Sequence, residues 1–464
     1  MKKYQTILLL FYLLMATVSC QDFDPTSSTA PYPPTTKAIE GLINEPYSFD
    51  EITMPEVWSS FQSFEEMMEA CQIPEGVLSK LSTEALILTC LNHPLALSYT
   101  AYNDELKGVD VICKTSNVFQ ELLNRPDGMN QLVRYYDSFP EVKVWTPTLK
   151  NTNSEVSIAS INLVELIIAN NLSKVDDIVK REVLTDAINK WKIRKETDNN
   201  LFSWFSLAKT VYLAEKANPT KSPTVSGGNV IGYIYLQTTF DQNVTGYSRQ
   251  EMLPSEIAEL DAYYIQHYPN ATFDASSTWS YNCHSYAWNI SDGGTTCWIQ
   301  DDGNCHLSRY WTNDYYCSTN FPGLASKIYY YNSDHSAVKI SENLYLSKWG
   351  CCPRMYHAPG YGPYSNMSQR HYYRPVSVLD VLDGNDLTAV GVTNYYSTDI
   401  QDNSRFTYSW TVERANGTPT GFNASPNGYM NTIVFNQTGL FNISCDVYYQ
   451  GSYVGSQWLE VAVE

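Results

Sequence analysis

The chain has 464 residues, 43% of them hydrophobic, enough for two to four domains with cores of their own. Its formal net charge of -19, from 30 basic and 49 acidic residues, argues against nucleic acid and against charge-driven binding to an anionic membrane. Tyr is abundant at 36, with 11 Trp, a composition suited to sugar or peptide surfaces.

The first element in chain order reads as an export signal. Lys2 and Lys3 form a short positive region, and Ile7 to Ala16 is an unbroken apolar run. That run is far shorter than the roughly 20 residues needed to span a bilayer. Thr17-Val18-Ser19-Cys20 then sets small residues before a cysteine. The order resembles the lipobox of bacterial lipoproteins, which implies that residues 1–19 are removed and that the Cys20 thiol carries the lipid. Gln21-Asp22-Phe23-Asp24 resembles the surface-export signal of Bacteroidetes lipoproteins. The expected location is therefore the outer membrane, lipid-anchored and surface-exposed, with no later segment apolar for long enough to span. Residues 20–40, rich in Ser, Thr and Pro, read as a tether.

Residues 41–215 read as a helical domain. Ser63-Phe64-Glu65-Glu66 is a capping box, and Ser82 can cap a second helix through Leu86, Ile87, Cys90 and Leu91. Val175, Ile178, Val179, Val183, Ile188 and Trp191 keep the spacing of an amphipathic helix. No chemistry is expected here, and His93 is expected to be structural. Residues 216–230 have the Pro, Ser and Gly content of a linker. A strand at Ile231 to Leu236 comes next, then a helix opened by Pro254. The last 80 or so residues alternate with period two, as in Phe406, Tyr408, Trp410 and Val412 and in Phe441, Ile443, Cys445 and Val447. This pattern predicts an all-β sandwich over residues 376–464 with Trp410 and Cys445 in its core. It resembles the PKD-like and immunoglobulin-like modules of bacterial surface proteins, which act as spacers or adhesive units.

Chemistry concentrates in Tyr281-Asn282-Cys283-His284-Ser285-Tyr286-Ala287-Trp288. Polar residues before Cys283 and helix formers after it place the thiol at a helix N-terminus, where unpaired N–H groups favour thiolate. A thiolate nucleophile needs a base, usually distant in sequence. Asp334-His335-Ser336-Ala337-Val338 puts a histidine at the mouth of a strand that forms a hairpin with Leu344 to Trp349. Asn343, Ser347 and Lys348 are the candidates for a third group orienting His335, with Ser347 preferred. The hairpin register decides among them, because a one-residue slip exchanges the faces. His284 directly follows Cys283 and is expected to point away from it. His357 and His371 sit in Pro-, Gly- and Tyr-rich sequence, and the loops over 356–373 are candidate substrate walls.

The pair Cys283 and His335 resembles the papain-like cell-wall amidopeptidases of the CHAP and NlpC types over residues 231–375. The resemblance implies a central α+β domain and a thiol hydrolase needing no cofactor or metal. It implies an oxyanion site from the Cys283 backbone N–H and the Asn282 side chain, and a substrate of peptidoglycan peptide or another extracellular amide. Three other readings stay open. Cys283 could pair with Cys297 or Cys305 in a disulfide. Cys283, His284, Cys297, Cys305, His306, Cys317, Cys351, Cys352 and His357 could supply a zinc site. The domain could be a vestigial papain-like fold in a surface adhesion or glycan- or peptide-binding protein. The expected architecture is thus multidomain: all-α, then α+β, then all-β.

Overall fold

The computed structural model describes residues 41–138, 158–196, 204–218, 230–376 and 382–464. The expected signal segment with Cys20, the expected tether and residues 219–229 of the expected linker lie outside the described residues. Helices account for the regular structure up to Ala217, and antiparallel sheets dominate after it, so the chain is a mixed α and β protein with a strand-rich C-terminal region. Ile43–Glu464 forms one compact unit.

In the helical region the caps follow the local sequence. Ser63 accepts from the backbone N–H of Glu66 at 3.2 Å, and Ser82 accepts from that of Ala85 at 3.2 Å. The Glu66 carboxylate departs from the expected box and accepts from Gln62 N–H at 2.6 Å, one residue further out. In the helix Asp177–Glu196, Val183, Ile188 and Trp191 are buried but Ile178 is 62% exposed. At about 100° per residue, Ile178 stands about 140° round the helix from Val183, off the buried stripe.

The helical region packs directly on the chain beyond residue 230. Trp58 Nε1 donates to His267 O at 2.8 Å, and Asn270 Nδ2 donates to Ser59 O at 2.8 Å. Gly350, at φ +54°, lies so close to the helical region that a Cβ there would sit 2.2 Å from Ala101 O. A left-handed conformation and this approach together require glycine.

Strands β1 (Val230–Gln237) and β2 (Asn243–Arg249) form a two-stranded antiparallel ribbon. The central sheet has seven strands: β3 (Thr272–Ala275), β4 (Tyr316–Thr319), β5 (Lys327–Tyr330), β6 (His335–Ser341), β7 (Leu344–Lys348), β8 (Arg354–His357) and β9 (Arg370–Pro375). Their spatial order is β3-β8-β7-β6-β5-β9-β4, antiparallel throughout. The short helix Cys283–Trp288 packs against β6, and Trp288 anchors an aromatic core with Tyr310, Tyr316, Tyr329 and Tyr373.

The C-terminal strands are β10 (Leu387–Thr388), β11 (Thr393–Ser397), β12 (Phe406–Arg414), β13 (Phe422–Asn427), β14 (Met430–Phe435), β15 (Gly439–Tyr449) and β16 (Ser452–Val463). They form one sheet of order β10-β16-β15-β12 and another of order β11-β14-β13, sharing a core with Phe435, Phe441, Ile443, Cys445 and Val461. The period-two pattern of the sequence is the inward face of these strands. Trp410 is half-buried against that core and donates to Gly428 O at 2.8 Å. A second cluster joins this region to the central one: Phe240, Cys317 and Val376 pack on Ile400, Phe406 and Val447.

Candidate thiol site

Cys283 is the first residue of its helix, and Asn282 is the N-cap in extended conformation. Asn282 Oδ1 accepts from Ser285 N–H at 3.1 Å and from Ile299 N–H at 3.2 Å. Its Nδ2 donates to Ile299 O at 2.6 Å and to Asn103 Oδ1 at 2.9 Å. A buried amide is thus satisfied on every side, which holds the helix start and the thiol rigidly. Cys283 Sγ accepts a hydrogen bond from Asn103 Nδ2 at 3.2 Å and lies 3.8 Å from Asp334 O, the carbonyl preceding His335.

The hairpin register of β6 and β7 pairs Val338 with Leu346 and Lys339 with Tyr345. It brings Ser347 diagonally across to His335, with Oγ 3.1 Å from His335 Nε2. Asn343 instead lies exposed in the turn, and Lys348 Nζ turns to the carbonyls of Gly350, Cys352 and Thr278. The next hairpin adds a group not expected from sequence: His357 Nε2 sits 2.7 Å from the same Ser347 Oγ.

This chain of bonds sets the proton positions. His357 Nδ1 lies 2.8 Å from Ala358 O, which only accepts, so Nδ1 carries the proton and Nε2 is an acceptor. The Ser347 hydroxyl must then donate to His357 and accept from His335 Nε2–H. His335 Nδ1 is left with a lone pair, buried and without a hydrogen-bond partner. Burial, with the nearby His357 and His284, holds the His335 pKa well below the usual imidazole range. Burial lowers His357 to about 4. Both rings are therefore neutral at neutral pH.

His284 differs from expectation. It is fully buried, with Nε2 3.0 Å from the Asp334 carboxylate and Nδ1 2.9 Å from Ser336 Oγ, which also accepts from Trp288 Nε1 at 3.0 Å. Burial opposes its charge, but Cys283 and Asp334 outweigh that effect and push its pKa up to about 10. A charged imidazolium therefore stands beside the thiol, where helical geometry alone predicted separation.

The Tyr-rich segment is interior packing instead of an open wall. Tyr364 stacks on His335 with ring centroids 4.1 Å apart, and Tyr361, Tyr364 and Tyr373 are buried. His371 is exposed. Among the described residues no disulfide forms, and no group of three or more His, Cys, Asp or Glu gathers around a metal position. The pairing of Cys283 with Cys297 or Cys305 is thus not made, and the nine Cys and His positions considered for zinc do not form one site. Cys297 Sγ instead approaches Ser285 Oγ at 3.4 Å, and Cys305 Sγ accepts from Gln300 N–H at 3.3 Å.

The sequence carried no signal for Asn103, which comes from the helical region 180 positions before Cys283. His357 was legible only as one of several histidines, because its role depends on two successive hairpin registers. No protein-family model matches the chain, and no curated protein matches it in sequence.

Proposed function

We propose that the protein is a Cys-His thiol hydrolase of papain-like type, similar to the CHAP and NlpC amidopeptidases, acting on peptidoglycan peptides or other extracellular amides. Its setting in this proposal is a chain lipid-anchored through Cys20, with a helical region and a C-terminal immunoglobulin-like, PKD-like module that spaces or displays the hydrolase. The observation that carries the reading is the unpartnered, buried Nδ1 of His335, next in the chain to Asp334, whose carbonyl oxygen lies 3.8 Å from the sulfur of the helix-start Cys283.

In this mechanism His335 Nδ1 takes the thiol proton and Cys283 Sγ attacks the amide carbonyl carbon. The His335 Nε2–H bond to Ser347, backed by His357, keeps the ring in the tautomer that can accept. The developing oxyanion is met by the Cys283 backbone N–H, with Asn282 Nδ2 as the neighbouring donor once its bond to Asn103 Oδ1 is released. His335 returns the proton to the leaving amine, and water then releases the acyl group with regeneration of the thiol.

Cys283→Ala and His335→Ala should each abolish most turnover of a peptidoglycan stem-peptide amide, and the double variant should be little worse, as for groups acting in one step. Full activity in either single variant would sink the proposal. The competing reading, a non-catalytic adhesion or binding module, is favoured by the complete burial of Cys283 and His335. It predicts no turnover by the wild-type chain and unaltered ligand binding by Cys283→Ala. The anchor is checked separately: Cys20→Ala should leave the membrane fraction and lose its acyl chain.

A further inference from the structure

Cys283, His335, Asn282, Ser347 and Tyr364 have no exposed surface, so no substrate reaches the sulfur in this state. A side-chain amide of the same chain lies against the sulfur. Asn103 Nδ2 lies 3.2 Å from Cys283 Sγ and 2.9 Å from Asp334 O, while Oδ1 lies 3.7 Å from Sγ and accepts from Asn282 Nδ2 at 2.9 Å. The orientation of this carboxamide is set by its partners, since Asp334 O can only accept. Its N–H faces a backbone carbonyl and its C=O faces an N–H donor beside the nucleophile, the two polar contacts a scissile amide would seek there.

We propose that the segment Ser98–Asp104 is an autoinhibitory strap whose Asn103 carboxamide occupies the substrate-amide position over Cys283. This proposal rests on the thiol-hydrolase reading above and adds its regulation. Both Nδ2 hydrogens of Asn103 are engaged, one by Asp334 O and one by the sulfur, so neither is left to stabilise an oxyanion. Strap and base are covered together: Tyr364 donates to Ala101 O at 2.9 Å, packs edge-on against Tyr102 at 5.2 Å, and stacks on His335. Ser365 N–H adds a bond to the Tyr102 hydroxyl at 3.2 Å. Withdrawal of the strap therefore uncovers the thiol and frees the ring lying on the base in one movement. The polar groups it vacates, Asp334 O and Asn282 Nδ2, then receive the substrate amide.

The test uses the full chain and iodoacetamide, with alkylation of Cys283 followed by peptide mapping. Asn103→Ala removes the carboxamide from the sulfur. Gly350→Ala is a second variant that alters neither Asn103 nor the thiol, because its new Cβ would sit 2.2 Å from Ala101 O and force the strap to shift. Variants are compared only after circular dichroism shows the wild-type spectrum. Each should raise the alkylation rate of Cys283 by about tenfold or more, the effect of removing an opening step that costs about 1.4 kcal/mol. Turnover of an amide substrate should rise with it. An unchanged alkylation rate in both variants overturns the strap. Faster alkylation of Asn103→Ala with loss of wild-type turnover overturns it too, because Asn103 would then serve the chemistry. Faster alkylation with no turnover in any form upholds the strap as a cover and refutes the hydrolase reading instead.

Discussion

Ser347→Ala is the sharpest probe of the proposed proton relay. The Ser347 hydroxyl is fully buried and bridges two imidazoles, at 3.1 Å to His335 and 2.7 Å to His357. Its loss leaves a buried N–H donor on His335 and a buried acceptor nitrogen on His357 without partners. Each such group costs about 1–3 kcal/mol, so the variant should be about 2–6 kcal/mol less stable. The loss of a hydroxyl opens only a small space and adds little to this. Released from Ser347, His335 can also take the tautomer with its proton on Nδ1, which cannot accept from the thiol. Proton transfer by a positioned base contributes about 10²–10⁴ in rate, and turnover should fall by a good part of that. Urea unfolding followed by tryptophan fluorescence measures the first effect, and nitrogen-15 spectra of the histidine rings report the tautomer. Wild-type stability together with an unshifted His335 tautomer would refute the relay.

Burial leads to two further outcomes. His357 and His93 are neutral in the fold, lowered from 6.5 to about 4 and about 3 respectively by burial, so the unfolded chain binds more protons below 6.5. Their contribution is present above about 6.5 and is lost as pH falls toward 4, so the melting temperature should drop across that window and the drop should be shallower in His93→Gln. His284 acts in the opposite sense: with its pKa raised to about 10, its stabilisation is full below 6.5 and is lost as pH rises through 10. A flat melting temperature between pH 6.5 and 4 would contradict the buried neutral rings. Truncation after Val376 removes Ile400, Phe406 and Val447 from Phe240, Cys317 and Val376. With burial of a large apolar side chain worth about 1.5–3 kcal/mol, the shortened chain should melt lower and bind a hydrophobic dye, whereas a fully independent module would leave the melt unchanged.

The amino-acid sequence determined whatever depends on neighbours in the chain. Ser63 and Ser82 cap helices because a hydroxyl reaches an N–H three residues on, and Phe441, Ile443 and Cys445 face inward because strand side chains alternate. Cys283 stands at a helix start for a similar local reason, the Asn282 cap. His335 opening a strand was legible in the same way. The choice of Ser347 over Asn343 and Lys348 was narrowed by the sequence but decided by hairpin register, which sets which face each residue takes. Tertiary structure alone decided the rest. Helical geometry alone predicts His284 turned away from its neighbour, yet Asp334 and Ser336 hold it buried, with its pKa pushed up to about 10, beside the thiol. His357 joins the candidate site through a second hairpin, Tyr364 folds onto His335, and Asn103 arrives from the helical region. These contacts join residues far apart in sequence, so no local periodicity or spacing encodes them. They exist because helices and sheet share one compact unit in which most buried polar groups find partners, and several of those nearest the thiol come from elsewhere in the chain.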